Sequence, residues 1–189
     1  MSEDKNLKTI QERNARTLRL RPSVGQGTAT TTVRVRSGVT CDIEDGAWKL
    51  VADETPGDGG AGLGPDPGVL VRAGLGSCLA MGYVLWAARL EIPLDSVEVV
   101  VEADYDARGM YGVDDSVPPG WTAVRYTAHI SSPAGEERVR QLVATADAHS
   151  PVLDDLRRAV PVRGELKISE PVRAAAPSAP AGATGATGE

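Results

Sequence analysis

Apolar and polar positions alternate with a period of two along several stretches, the pattern of a strand with one buried face. Ala29 to Ser37, rich in Thr and Val, alternates around Val33 and Val35. Val39 to Glu44 and Ala47 to Ala52 follow, and the Asp45-Gly46 pair between them predicts a tight hairpin, because such turns need the positive φ that glycine adopts freely. From Ser96 to Asp106, Val97, Val99 and Val101 interleave with Glu98, Val100 and Glu102, giving a strand with one mostly polar face. Trp121 to Ser131 sets Ala123, Arg125, Thr127 and His129 opposite Val124, Tyr126, Ala128 and Ile130. Pro161 to Ser169 reads as an edge or closing strand.

Elsewhere the period lengthens. Val69 to Leu90 is apolar nearly all round, which predicts a central helix, and its small residues Gly74, Gly76, Ser77 and Cys78 let another backbone approach closely. The apolar stretch Ala73 to Ala88 holds 16 residues between Arg72 and Arg89, short of the ~20 that cross a bilayer. A second helix is expected from Ser132 as N-cap, with Pro133 at its first position, Glu136 and Glu137 near its positive end, and Val139, Leu142, Val143 and Ala146 as its apolar stripe. It should stop at or before Ser150, ahead of Pro151. Three strands, a helix, two strands, a helix and a strand make an α+β domain with a largely antiparallel sheet.

Breaker residues mark the boundaries. Thr55 to Pro67 has five Gly and three Pro and is predicted to be a loop beside the core helix, a common place for function. Asn6 to Leu20 can form a short helix, ended before Pro22 and the Gly25-Gln26-Gly27 linker. Residues 1–27 therefore read as an N-terminal arm, 28–170 as the domain, and 171–189, rich in Ala, Gly and Pro, as a disordered tail.

Charge sharpens this division. Of the 189 residues 41% are hydrophobic, enough for one sizeable core, and the net charge is −6. The arm has six basic against three acidic residues (+3), whereas 28–170 has 13 against 22 (−9). A solvated arm is the simplest expectation, with docking on the acidic body or on a partner subunit as the alternative. An acidic body argues against nucleic acid as a partner, and no segment points to a membrane. Two cysteines are too few for the disulfide framework of a small secreted protein, so a reducing, cytoplasmic setting is expected.

Few side chains promise chemistry. His129 and His149 are the only histidines, and with Cys41 and Cys78 they show no metal-ligand spacing, so no metal is expected. The Gly-rich stretch Gly57 to Gly64 is followed by Pro65 and Pro67 and lacks a phosphate-binding lysine, so no nucleotide cofactor is expected either. Cys78 is either a small buried hydrophobe or a reactive thiol. The second reading requires a cation near the sulfur, because Cys78 lies two to three turns into its helix, beyond the reach of the N-terminal dipole.

Several separated motifs then favour reactivity. Asp53-Glu54-Thr55-Pro56, Gly59-Gly60, Leu63-Gly64-Pro65-Asp66-Pro67 and Leu75-Gly76-Ser77-Cys78 occur in that order. Ile92-Pro93-Leu94-Asp95-Ser96-Val97-Glu98-Val99 and Ala148-His149-Ser150-Pro151-Val152 follow. Together they resemble the OsmC/Ohr family of osmotically inducible and organic hydroperoxide resistance proteins, over roughly residues 30–168. The resemblance implies an OsmC-like fold, an intertwined homodimer whose sheets wrap around central helices, with two sites at the subunit interface. It further implies a cysteine that reduces an organic hydroperoxide, a second cysteine that closes a disulfide, and an external dithiol reductant. An arginine from the N-terminal strands would hold the thiolate, oriented by a glutamate near the start of the cysteine helix.

Carried over position by position, Cys78 matches the peroxide-attacking cysteine. The arginine falls on Arg36, with Arg34 a close competitor on the same strand face. The second cysteine falls on Ser150, whose hydroxyl cannot form a disulfide, and the glutamate falls on Gly68, with Glu54 as a possible substitute. Cys41 is an alternative resolving thiol only if its Cα comes within about 7 Å of that of Cys78. Two functions stay open: a one-cysteine peroxidase, or a catalytically weak homodimer that holds an apolar small molecule in its interfacial pocket.

Overall fold

The computed structural model describes residues 2–168. The chain divides into two compact units, Met1–Ala159 and Val160–Glu189. The sequence-predicted tail, 171–189, lies outside the described residues.

In the first unit, β1 (Thr32–Ser37), β2 (Thr40–Asp45) and β3 (Trp48–Ala52) form an antiparallel sheet in that order. Gly46 takes φ 55° at the predicted hairpin, and Asp45 pairs with Trp48 across it. A second antiparallel sheet pairs β4 (Ser96–Tyr105) with β5 (Trp121–Ser131), in register from Ser96 opposite Ser131 to Asp104 opposite Ala123. Its alternation is the predicted one: Val97, Val99 and Val101 with Tyr126, Ala128 and Ile130 pack inward, while Glu98, Glu102, Arg125 and His129 face outward.

Five α-helices complete the unit among the described residues. These are α1 (Ser2–Leu20), α2 (Pro67–Leu90), the single-turn α3 (Ala107–Met110), α4 (Glu136–Asp147) and α5 (Pro151–Arg157). Asp66 caps α2 by accepting a hydrogen bond from the Val69 N–H at 2.8 Å, with Pro67 at the first position. At 24 residues α2 is long and apolar enough to cross a membrane, but β4, α1, α4 and α5 pack along it as they do on a core helix.

The core follows one stripe of α2. Leu75, Leu79, Tyr83 and Ala87 recur every four residues and are all buried, against Ala146 of α4, Leu153 of α5 and the inner face of β4 and β5. Gly76 provides the close approach: a Cβ there would lie 3.4 Å from Val101 Cγ2. The other sides of α2 are more open than an all-round apolar sequence predicts, with Val71, Met81 and Val84 exposed in the single chain.

Three local expectations are corrected. Pro161 to Ser169 is not a strand over its described residues, and Val162, Leu166 and Ile168 stand exposed. Alternation alone does not make a strand that has no neighbour to complete its ladder, and Gly164 weakens it further. Helix α4 begins at Glu136, with Gly135 as N-cap at φ 80°. The Ser132 hydroxyl instead donates to the Pro93 carbonyl at 2.6 Å and accepts from the Ala134 N–H, tying the end of β5 to the turn after α2. Finally, the basic arm is docked along part of its length: α1 lies along α2, with Leu7 and Ile10 half-buried and Lys8 paired to Glu91, while Arg13, Arg16, Arg19 and Arg21 stay exposed.

Candidate functional site

Helical spacing lays a second stripe on α2 beside the core one. From Cys78, steps of four, eight and eleven residues lead to Gly82, Trp86 and Arg89, all on one face at 100° per residue. That face floors a cavity of about 600 Å³, walled by Gln11 of α1 and by His149, Ser150 and Val152 at the α4–α5 turn. Its surface is mostly apolar. Over Gly74 and Gly82 an added Cβ would meet nothing within 4 Å, so the floor is bare where these glycines stand.

Cys78 is half-buried, and its sulfur lies 3.4 Å from the Ser150 hydroxyl. Ser150 is buried and does not use its side chain to cap α5, which leaves the hydroxyl aimed at the sulfur. A half-buried carboxylate just before this turn holds it in place. Asp147, at the end of α4, accepts hydrogen bonds from Tyr83 of α2 at 2.9 Å and Tyr126 of β5 at 2.6 Å, pinning α4 to both elements three residues ahead of Ser150. Burial, followed by the bond to Asp147, pushes both tyrosine hydroxyls above their ordinary pKa, so they remain donors throughout the neutral range.

Aromatic stacking organises the far end of the chamber. The Arg89 guanidinium lies 4.7 Å from the Trp86 ring centroid, and the His149 ring is tilted on Trp86 at a centroid distance of 4.7 Å. His149 Nδ1 donates to the Thr145 carbonyl at 2.7 Å, leaving Nε2 as its free nitrogen.

The other sequence candidates lie apart from this chamber within one chain. Arg36 is paired with Asp42, and Arg34 with Glu44 at 2.9 Å, across β1 and β2. Hydrogen bonding to these guanidiniums holds both carboxyls below their ordinary pKa. Neither arginine nor Glu54 lines the cavity. Cys41, on β2, directs its thiol at the Val39 carbonyl, and both cysteines are free. At Gly68 a Cβ would lie 2.9 Å from Asp66 Oδ1 and 3.3 Å from Arg72 Nη1, so a side chain there would have to displace the ends of the capping aspartate and of Arg72. Among the described residues, no three metal-ligating side chains cluster.

The loop ahead of α2 is a built structure. Asp53 is buried and accepts from the N–H groups of Glu54, Ala61 and Leu63 and from the Thr40 hydroxyl, at 2.9–3.2 Å. Gly60 and Gly64 pass so close to the backbone that an added Cβ would fall 2.0 Å from the Glu54 carbonyl oxygen and 2.3 Å from that of Val51.

A family model described as OsmC-like protein matches residues 57–165, more than half of the chain and all of the stripe from Cys78 to Ser150. The chain belongs to this family. Solved structures agree on the fold of this OsmC-like chain. An OsmC-like protein from Mycoplasma pneumoniae superposes with a TM-score of 0.61 at 15% identity, covering 71% of this chain and 90% of that one. The organic hydroperoxide resistance protein OsmC from Legionella pneumophila gives 0.51 at 22% identity, over 69% and 90%. An organic hydroperoxide resistance protein from Elizabethkingia anophelis gives 0.52 at 17% identity, over 71% and 91%. A search of curated proteins returned no match.

Reading the sequence singled out Cys78 and Ser150, which the OsmC-like fold brings together, but missed Trp86, Arg89, His149 and the Tyr83–Asp147–Tyr126 cluster. The signal for the first two was the helical spacing from Cys78. His149 and Asp147 became visible only once α4 was packed.

Proposed function

We propose that this OsmC-like protein is a thiol-dependent peroxidase of one-cysteine type that reduces organic hydroperoxides through Cys78. The observation that carries the reading is the position of the Cys78 sulfur, half-buried at a mostly apolar chamber with Ser150 against it. The thiolate attacks the terminal oxygen of ROOH, so that an S–O bond forms, the O–O bond breaks, and the alkoxide takes up a proton and leaves as ROH. The sulfenic acid at Cys78 has only a hydroxyl beside it. A cytoplasmic dithiol therefore completes the cycle: its first thiolate displaces water to give a mixed disulfide, and its second sulfur closes the reductant's own disulfide and releases Cys78.

The thiolate needs a cation. Within one chain Arg34 and Arg36 stay paired on their own sheet, so the reading assigns this role to Arg36, with Arg34 beside it, of the other subunit of a homodimer. Asp42 already holds Arg36 within the sheet, and the reading keeps Glu54 as the substitute for the family glutamate. The hydroxyl at position 150 and the missing carboxylate at Gly68 favour a second reading, in which the homodimer turns peroxide over weakly and holds an apolar small molecule in its pocket.

Consumption of cumene hydroperoxide with dithiothreitol separates the two. Turnover in the unmodified protein and in Cys41→Ser, with its loss in Cys78→Ser, is the expected outcome. Equal rates with and without the Cys78 thiol would end the peroxidase reading.

A further inference from the structure

We propose that His149 is the proton donor to the leaving alkoxide when Cys78 reduces a hydroperoxide. The inference rests on the peroxidase reading and adds a second catalytic residue to it.

Breaking the O–O bond of an alkyl hydroperoxide releases an alkoxide, which is a strong base. In a mostly apolar chamber an isolated alkoxide is far costlier than in water, so a proton must reach it as the bond breaks. Among the described side chains that border this chamber, only one besides the thiol gains and loses a proton near neutral pH. Gln11 is a neutral amide, Arg89 keeps its proton throughout, and the Ser150 hydroxyl donates a hydrogen bond without acting as an acid. His149 remains, and imidazole is the side chain suited to that range. The other histidine, His129, faces outward from β5.

Both helices that flank the ring hold it for this task. Its Nδ1–H donates to the Thr145 carbonyl of α4 at 2.7 Å, so Nε2 is the atom that takes up and delivers the proton. Trp86 of α2 lies against the ring at a centroid distance of 4.7 Å and limits its tilt. His149 is exposed, so water can recharge Nε2 after each turnover. Placement agrees with the chemistry. The sulfur enters the O–O antibonding orbital along the bond axis, which puts the leaving oxygen on the side of the peroxide away from Cys78. Ser150, at 3.4 Å from the sulfur, stands on the attacking side, whereas His149 rests on a tryptophan about two turns further along α2.

Protons and electrons balance. The Cys78 thiol gives its proton to water, and His149 takes one from water at Nε2. The thiolate electron pair forms the S–O bond with the terminal oxygen, which keeps its hydrogen. The O–O pair departs with the alkoxide, and Nε2–H protonates it. The sum is thiol plus ROOH giving sulfenic acid plus ROH.

Two oxidants that differ in their leaving group test this in a Cys41→Ser background. Cumene hydroperoxide releases a strongly basic alkoxide, whereas peracetic acid releases acetate, which leaves without a proton. Oxidation of Cys78 is followed by rapid quench and mass spectrometry. His149→Gln is expected to slow the reaction with cumene hydroperoxide about a hundredfold and that with peracetic acid less than about threefold. Alkylation of Cys78 by iodoacetamide, which reads the thiolate alone, should be unchanged. Equal slowing of both oxidants would give His149 a structural role and overturn the assignment, as would no slowing of either. If cumene hydroperoxide fails to oxidise Cys78 while His149 is still in place, the peroxidase reading itself falls, and this proposal with it.

Discussion

At position 150, the difference between oxygen and sulfur decides whether Cys78 has a partner within its own chain. The Ser150 hydroxyl lies 3.4 Å from the sulfur, on a turn that Asp147 clamps through Tyr83 and Tyr126. A thiol at the same place needs only a small adjustment to reach bonding distance. In a Cys41→Ser background, Ser150→Cys is therefore expected to close a disulfide to Cys78 after one equivalent of hydroperoxide, seen as a mass two hydrogens lighter than the reduced protein. A stable sulfenic acid in that variant, trapped by dimedone, would show that the turn holds the two side chains apart. Position 150 was legible in the sequence through motif order, because the run around His149 and Pro151 marks it. Arg89 was not. Periodicity places it on the face of Cys78, but which face of α2 stays open is set by α1, α4 and α5 packing elsewhere on that helix.

Among the elements, the loop between β3 and α2 has the clearest dependence on one charge. Hydrogen bonds, first that from the Leu63 N–H, hold the Asp53 carboxyl below its ordinary pKa. A depressed carboxylate contributes stability that is fully present above its unfolded value, near 3.9, and is lost as pH falls through the lower folded value. Chemical denaturation of the unmodified protein should therefore show a loss of stability below about pH 4 to which Asp53 contributes. Asp53→Asn should be less stable at pH 7 and show a shallower acid limb; equal limbs in the two proteins would remove Asp53 from that role. The breaker count already marked this stretch as a loop, but its rigidity arises from N–H groups converging on one side chain, which no periodicity encodes. The same gap explains α4. Ser132 and Pro133 are good helix starters in sequence, yet the serine hydroxyl is drawn to the Pro93 carbonyl, and the helix begins four residues later.

For the whole molecule, the apolar surface left open by one chain is the main fact. Val33, Val35, Trp48 and Leu50 stand exposed on the first sheet, and Val71, Met81 and Val84 on α2. Exposed apolar groups on this scale mark an association surface. In the proposed homodimer a second copy would cover them and would bring the arginines of β1 to the other subunit's thiol. Solution scattering at micromolar concentration is expected to give twice the mass of the 19.7 kDa chain, and a monomer mass would remove both the dimer and the arginine assignment. The α+β architecture was legible because the strands keep their period of two and the long helix its apolar run. The exposed flanks of α2 were legible only as hydrophobicity, since a sequence does not say whether a partner lies in its own chain or in another.

Helix α1 lies outside the stretch shared with the family, yet its Gln11 closes one wall of the chamber at Cys78. The Cys78 sulfur and one wall of the space around it thus come from separate segments of the chain. Substitutions along α1 can reshape that wall without disturbing Leu75, Leu79 or Tyr83, on which the fold depends. The space beside the sulfur can therefore be reshaped from α1 without touching Cys78 or Ser150.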